Sequence, residues 1–298
     1  MRGPLGELVT FKRADGWCLD GILYEAPKPS GSTLIHVHGS YGNFYQSQLV
    51  RLLAGLCLES GLSLLSFNTS GHDGFAEAYG EGEAFRYVGG AVAPFSESIS
   101  DIAAAVAFVA DFSDVVVLQG HSLGCDRVVN FLATTGARHD CILLAPCDSY
   151  RLQANLRYPE TVEQQILRLR SNNGQESDLS WLPLNEYGVR AGDDWTYPNP
   201  ITREALLSIL EGPVFRLFRY DGDGAEWTLD QRAMVAVGGR DALRTASPET
   251  VRRFFVPRFR ETSYTLLPTA DHMFRGAEEA VAKKIVEWLR VGSLLGSR

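Results

Sequence analysis

One pentapeptide limits what this chain can become. Gly120-His121-Ser122-Leu123-Gly124 joins an apolar run, Val115-Val116-Val117-Leu118-Gln119, to a segment in which Cys125, Val128, Val129 and Leu132 recur at helical spacing. A β-branched run leading into an amphipathic stripe is a strand entering a helix. A serine at that junction has to stand on a sharp turn, and small residues two before and two after it relieve the crowding. Glycine occupies both places, so the segment reads as a nucleophile elbow with Ser122 at its tip.

The rest of the pattern suits such an elbow. Thr33–Val37, Leu62–Phe67, Val115–Gln119, Cys141–Ala145 and Met234–Val237 are short apolar runs without polar alternation, as expected of parallel strands buried on both faces. Glu7–Phe11 and Gly21–Tyr24 read as a leading hairpin, and Ser263–Leu267 as the final strand. Between the runs lie helical faces: Leu49, Leu52, Leu53, Leu56 and Cys57; Phe95, Ile99, Ile102, Val106 and Val109; Ala277, Val281, Ile285 and Leu289. Strands alternating with helices imply crossover connections and a doubly wound, mostly parallel α/β sheet. From 148 to 212 the pattern weakens into polar and aromatic loops. The expected organisation is a core of residues 1–147 and 213–298 with a cap insertion, 148–212, after the sixth strand. That insertion would overhang the carboxyl edge of the sheet, where open α/β folds bind ligands.

A serine hydroxyl is almost fully protonated at neutral pH, so Ser122 needs a base. Of six histidines, His272 lies in the loop Thr269-Ala270-Asp271-His272-Met273-Phe274 between the last strand and the last helix. The acid that orients it should follow an earlier strand. Asp241, after Val235-Ala236-Val237-Gly238-Gly239-Arg240, fits best, with Asp148 and Asp271 as rivals. The expected donors to an oxyanion are the amides of Leu123, at the helix start, and Ser40, in the loop Gly39-Ser40-Tyr41-Gly42-Asn43-Phe44. Tyr41 is a candidate for substrate contact, and so are Trp181 and Trp195, which with Tyr187 and Tyr197 bring rigid aromatic area to the insertion. His36, His38, His72 and His121 have no two-His-plus-carboxylate helical spacing, so no metal and no cofactor is expected.

Thirty-six acidic against 28 basic side chains give a net charge of −8, with no block of like charge, which argues against nucleic acid as a partner. No stretch approaches the length of an apolar membrane span and no apolar signal core is visible near Met1, so the cytoplasm is the expected location. The five cysteines, at 18, 57, 125, 141 and 147, fit buried, reduced thiols better than a disulfide framework. A small molecule is the expected partner, and oligomeric state is not legible.

With His38-Gly39, Gly120–Gly124, Asp241 and His272 at these places, the chain resembles an α/β-hydrolase over nearly its whole length. Within that fold it more specifically resembles the DUF1749/UPF0613 branch, which includes fungal siderophore esterases. The residues carrying this likeness are His38 to Tyr45, the Gly71-His72 turn, Gly89-Gly90 with Phe95 and Asp101-Ile102, and Gly120 to Val128. The resemblance implies hydrolysis of an ester, less often an amide, in a small secondary metabolite. The same constellation would serve acyl transfer, lactone closure or C–C cleavage if the pocket delivers a nucleophile other than water. A binding protein on an inactive hydrolase scaffold is a third reading, which a complete set of catalytic residues disfavours.

Overall fold

Eight strands form the main sheet, in the order β1-β2-β4-β3-β7-β8-β11-β12. The computed structural model describes residues 4–27, 29–82, 84–155, 161–171, 179–184, 197–224 and 226–291, with the backbone alone for 153–155, 179–184 and 197–200. In chain order the sheet comprises β1 (Glu7–Lys12), β2 (Cys18–Tyr24), β3 (Ser32–Val37), β4 (Ser63–Phe67), β7 (Val115–His121), β8 (Cys141–Leu144), β11 (Leu229–Gly238) and β12 (Phe259–Leu267). The leading hairpin and its seam with β4 are antiparallel, and every pairing from β4 to β12 is parallel. Five of the predicted strands lie within a residue or two of these bounds. β11 and β12 begin five and four residues earlier than their apolar runs, because strand ends at the sheet's edge carry polar side chains such as Asp230 and Glu261.

Strands buried on both faces need helices on both, and the core accordingly falls into two apolar layers. On one face α2 (Glu97–Val109), α3 (Leu123–Thr135) and α8 (Pro248–Phe255) cover Ile35, Val37, Leu118 and Val235. On the other, α1 (Gln48–Glu59) and α9 (Glu278–Val291) cover Leu34, Val117, Ile142 and Ala236. Ser47 caps α1, its hydroxyl accepting from Val50 N–H. The buried stripe of α1 is Leu49, Val50, Leu53, Ala54 and Cys57, whereas Leu52 is 40% exposed, so the expected face was rotated by one position.

Between β4 and α2 a hairpin absent from the sequence reading, β5 (Ala76–Tyr79) and β6 (Phe85–Val88), stands apart from the main sheet. Its outward face carries Phe75, Tyr79, Phe85 and Tyr87, all more than half exposed. Between β8 and β11 lie α4 (Ser149–Asn155), α5 (Val162–Ser171), the hairpin β9 (Leu179–Leu184) with β10 (Tyr197–Thr202), α6 (Arg203–Leu210) and α7 (Val214–Leu217). Val162, Leu169, Leu206, Leu210, Val214 and Phe215 make a third apolar cluster, against which Phe95 and Leu123 pack. These helices thus sit beside Ser122, at the carboxyl edge of the sheet. Among the described residues no helix is long and apolar enough to cross a membrane.

Candidate active site

Where β7 turns into α3, two close backbone crossings dictate glycine. A Cβ on Gly124 would stand 2.2 Å from the Val37 carbonyl oxygen, and one on Gly120 2.4 Å from Gly124. Squeezed between them, Ser122 adopts φ 56° and ψ −125°, a left-handed conformation costly for a residue with a side chain. Its hydroxyl does not cap α3, and the residue lines a cavity of about 480 Å³. The amide of Leu123 opens α3 and has no carbonyl one turn back to bond. The buried Cys147 thiol reaches the Ser122 side chain. Burial pushes that thiol well above its usual range, so it stays protonated and is no competing thiolate.

His272 lines the same cavity. Its Nδ1 lies 2.9 Å from Asp241 Oδ2. A carboxylate only accepts, so Nδ1 carries the proton and Nε2 is left with its lone pair. The other Asp241 oxygen accepts the Leu243 N–H at 2.8 Å, which fixes the carboxylate on the turn after β11. His121 anchors the histidine loop from beneath, donating Nε2–H to the His272 carbonyl at 2.9 Å. The rival acids are committed elsewhere. Asp148 accepts from Arg151 N at 2.8 Å and Tyr220 N at 3.2 Å, and Asp271 Oδ1 accepts from Met273 N and Arg275 N.

The β3–α1 loop is held as tightly. The Gly39 carbonyl receives His38 Nδ1–H at 2.8 Å, Gly42 N–H at 3.2 Å and the Arg127 guanidinium at 3.5 Å, while Arg127 also donates to the His38 carbonyl at 3.0 Å. His38 Nε2 in turn accepts the Thr69 amide at 3.1 Å. No cis peptide occurs among the described residues, so with the Gly39 carbonyl pinned toward His38 and Arg127 the Ser40 N–H points the opposite way. Gly39 itself lies against Ser122, a Cβ there falling 3.0 Å from the serine Cβ. Arg127 is buried, and burial pulls its guanidinium down to about 10 against the opposing charges of Asp101 and Asp126. It stays cationic at neutral pH.

A sequence profile described as Alpha/beta hydrolase family matches residues 34–284. The chain belongs to this family. Solved structures with the same fold include Est1E from Butyrivibrio proteoclasticus with ferulic acid bound, at 17% identity and a TM-score of 0.64, with 94% of this chain and 98% of that chain covered. The hydrolase GrgF from Penicillium sp. sh18 aligns at 16% identity and a TM-score of 0.66, covering 96% and 98%. The Pyrococcus furiosus esterase Pf2001 aligns at 15% and 0.58, covering 96% and 91%. A search of curated proteins found no match.

In this alpha/beta hydrolase the structure brings Ser122, His272 and Ser40 to one cavity and seats Asp241 behind His272. Tyr41 is placed differently from the expectation. It lies with φ 51°, its ring where a Cβ of Gly90 would stand 2.8 Å away, and it is not among the residues lining that cavity. Trp195 and the side chain of Trp181 fall outside the described residues. Sequence reasoning missed Arg127, although an arginine on the apolar stretch of α3 was itself a signal, since a buried guanidinium demands acceptors. It also gave His36 and His121 no partners. Gln119, opposite His36 across β3 and β7, donates to His36 Nδ1 at 2.8 Å. Burial pulls His36 down to about 3 and His121 to about 4, so both imidazoles are neutral.

Proposed function

We propose that this chain is a cofactor-independent serine hydrolase that cleaves an ester, or by the same machinery an amide or lactone, in a small, partly apolar metabolite. The observation that carries the reading is the Asp241–His272 hydrogen bond at the rim of the cavity that Ser122 lines. It leaves His272 Nε2 as the acceptor for a serine proton. In this reading Ser122 attacks the carbonyl carbon, and its proton passes to His272 Nε2. Asp241 stabilises the imidazolium, and the amides of Ser40 and Leu123 hold the oxyanion. The imidazolium then protonates the leaving alcohol. Water, deprotonated by the same nitrogen, attacks the acyl-enzyme, and the imidazolium returns that proton to the departing Ser122 oxygen.

The family membership and the esterase neighbours support the hydrolase class. The likeness of the motifs to the branch containing siderophore esterases supports an ester of a secondary metabolite as substrate. We assign residues 148–212 the role of a cap, with Trp181 and Trp195 as substrate contacts, because its helices pack on Leu123 beside the proposed nucleophile. Five free cysteines, four of them buried, suit a reducing cytoplasm. The test is covalent labelling with a fluorophosphonate, read by intact mass. One adduct on the wild type and none on Ser122→Ala is expected, with the fold unchanged. An adduct that persists on the alanine variant identifies another nucleophile.

A further inference from the structure

The cavity that Ser122 lines is floored on the side of α1 and α9 by the two histidines that sequence reasoning left unassigned. His36 and Gln119 are register partners on β3 and β7, and His121 follows two residues along β7 on the same face. His36 is only 3% exposed, yet it lines the cavity together with His121. One nitrogen of each ring is already used. Gln119 donates to His36 Nδ1, so His36 Nε2 carries the proton. His121 donates through Nε2 to the His272 carbonyl, so His121 Nδ1 keeps its lone pair.

The remaining nitrogens, a donor on His36 and an acceptor on His121, have no hydrogen-bond partner among the described residues, and both residues line the cavity. Both rings stay neutral through burial, and His121 further disfavours charge on His36. The charged residues that line this cavity, Arg275 and Glu278, are opposite in sign, and the Arg275 side chain is 77% exposed. A full charge on the ligand would therefore find no counter-ion on the floor. An apolar group would strip water from a donor and an acceptor and replace it with nothing. A hydroxyl has both capacities, lone pairs to accept from His36 and a proton to donate to His121.

We infer that the His36–His121 floor is a substrate subsite for a neutral hydroxyl group carried near the scissile carbonyl, which makes a hydroxylated ester the substrate class. The inference rests on the serine-hydrolase reading above. A site built to bond a hydroxyl discriminates against the analogue that lacks it more strongly than an apolar pocket discriminates by size.

The test compares kcat/KM within matched pairs, one for each side of the ester. Propyl butyrate is set against 2,3-dihydroxypropyl butyrate, and p-nitrophenyl butyrate against p-nitrophenyl 3-hydroxybutyrate. The wild type should prefer the hydroxylated member of at least one pair by about tenfold, the worth of one or two net hydrogen bonds. His36→Leu should bring that ratio to within about twofold of one. Because that variant leaves Gln119 without its acceptor, His36→Leu/Gln119→Leu is measured beside it, removing both buried polar partners together. Wild-type ratios near one in both pairs, or a preference that survives in whichever variant folds, would overturn the subsite. Fluorophosphonate labelling of the same wild-type protein separates the two levels. Labelled Ser122 with unmoved ratios refutes only the subsite, and unlabelled protein refutes the serine mechanism together with it.

Discussion

Replacing Asp241 by asparagine tests the site at the one atom where its logic can be inverted. Asp241 accepts two N–H groups, Leu243 at Oδ1 and His272 at Oδ2. Asparagine has a single acceptor oxygen, and the backbone N–H of Leu243 has no alternative role. The oxygen therefore stays on Leu243, and the NH₂ takes the place of Oδ2. Facing a donor, His272 Nδ1 must become the acceptor, so its proton moves to Nε2. The imidazole then presents N–H instead of a lone pair toward Ser122. Wrong-tautomer variants of such triads lose about 10⁴ in kcat, equivalent to about 5.5 kcal/mol of transition-state stabilisation. KM should move little, because the cavity lining is untouched. The melting temperature should also hold, because the Leu243 bond is kept. Single-turnover kinetics on a p-nitrophenyl ester read the loss directly. The control is Asp148→Asn, whose wild-type oxygens hold Arg151 N and Tyr220 N, so it should lower stability while sparing kcat. A loss below about tenfold for the Asp241 variant, or a larger loss for the Asp148 variant, refutes the tautomer argument.

Three further outcomes are expected. Gly124→Ala drives a Cβ to 2.2 Å from the Val37 carbonyl oxygen, a backbone atom that cannot swing aside, and should cost more than about 3 kcal/mol in a denaturant titration. A near-neutral result would show that the elbow can relax. His36, His38 and His121 are all held by burial below the ordinary histidine range, so each stays neutral in the fold while the unfolded chain takes up a proton near pH ~6.5. Stability is then complete above that pH and is lost as pH falls toward 4, by up to about 4 kcal/mol per unit for three protons. Thermal melts from pH 7 to 4.5 should fall steeply, and a flat profile contradicts the burial of neutral imidazoles. Replacing Trp181 or Trp195 by alanine should lower kcat/KM for the true substrate far more than for p-nitrophenyl acetate. Equal losses would remove the insertion as the specificity element.

The fold class was legible because it is written in local periodicity. Runs such as Val115-Val116-Val117-Leu118 are buried on both faces and have nothing to alternate with, and the stripe from Cys125 to Leu132 repeats at the helical interval. Gly120 and Gly124 were legible for a stronger reason, since a nucleophile turn crowds two backbones and only glycine survives there. The β5–β6 hairpin was not legible, because its aromatic residues face outward and leave no buried alternation to detect. Sequence order also ranked Asp241, Asp148 and Asp271 without separating them. Their separation came from what each carboxylate meets in the fold: Asp148 gives its two oxygens to Arg151 N and Tyr220 N, Asp271 turns Oδ1 back on Met273 N and Arg275 N, and Asp241, with Oδ1 on Leu243 N, brings Oδ2 to His272 Nδ1. The orientation of the Gly39–Ser40 peptide likewise depends on Arg127, 88 residues away along the chain, and the neutral floor of the cavity depends on Gln119 meeting His36 across 83. Periodicity and turn chemistry are properties of neighbours in sequence, so the chain alone determined the strands of its main sheet, its elbow and its candidate nucleophile. Hydrogen-bond direction and desolvation depend on which distant groups come to share a space, and only the tertiary structure decided those.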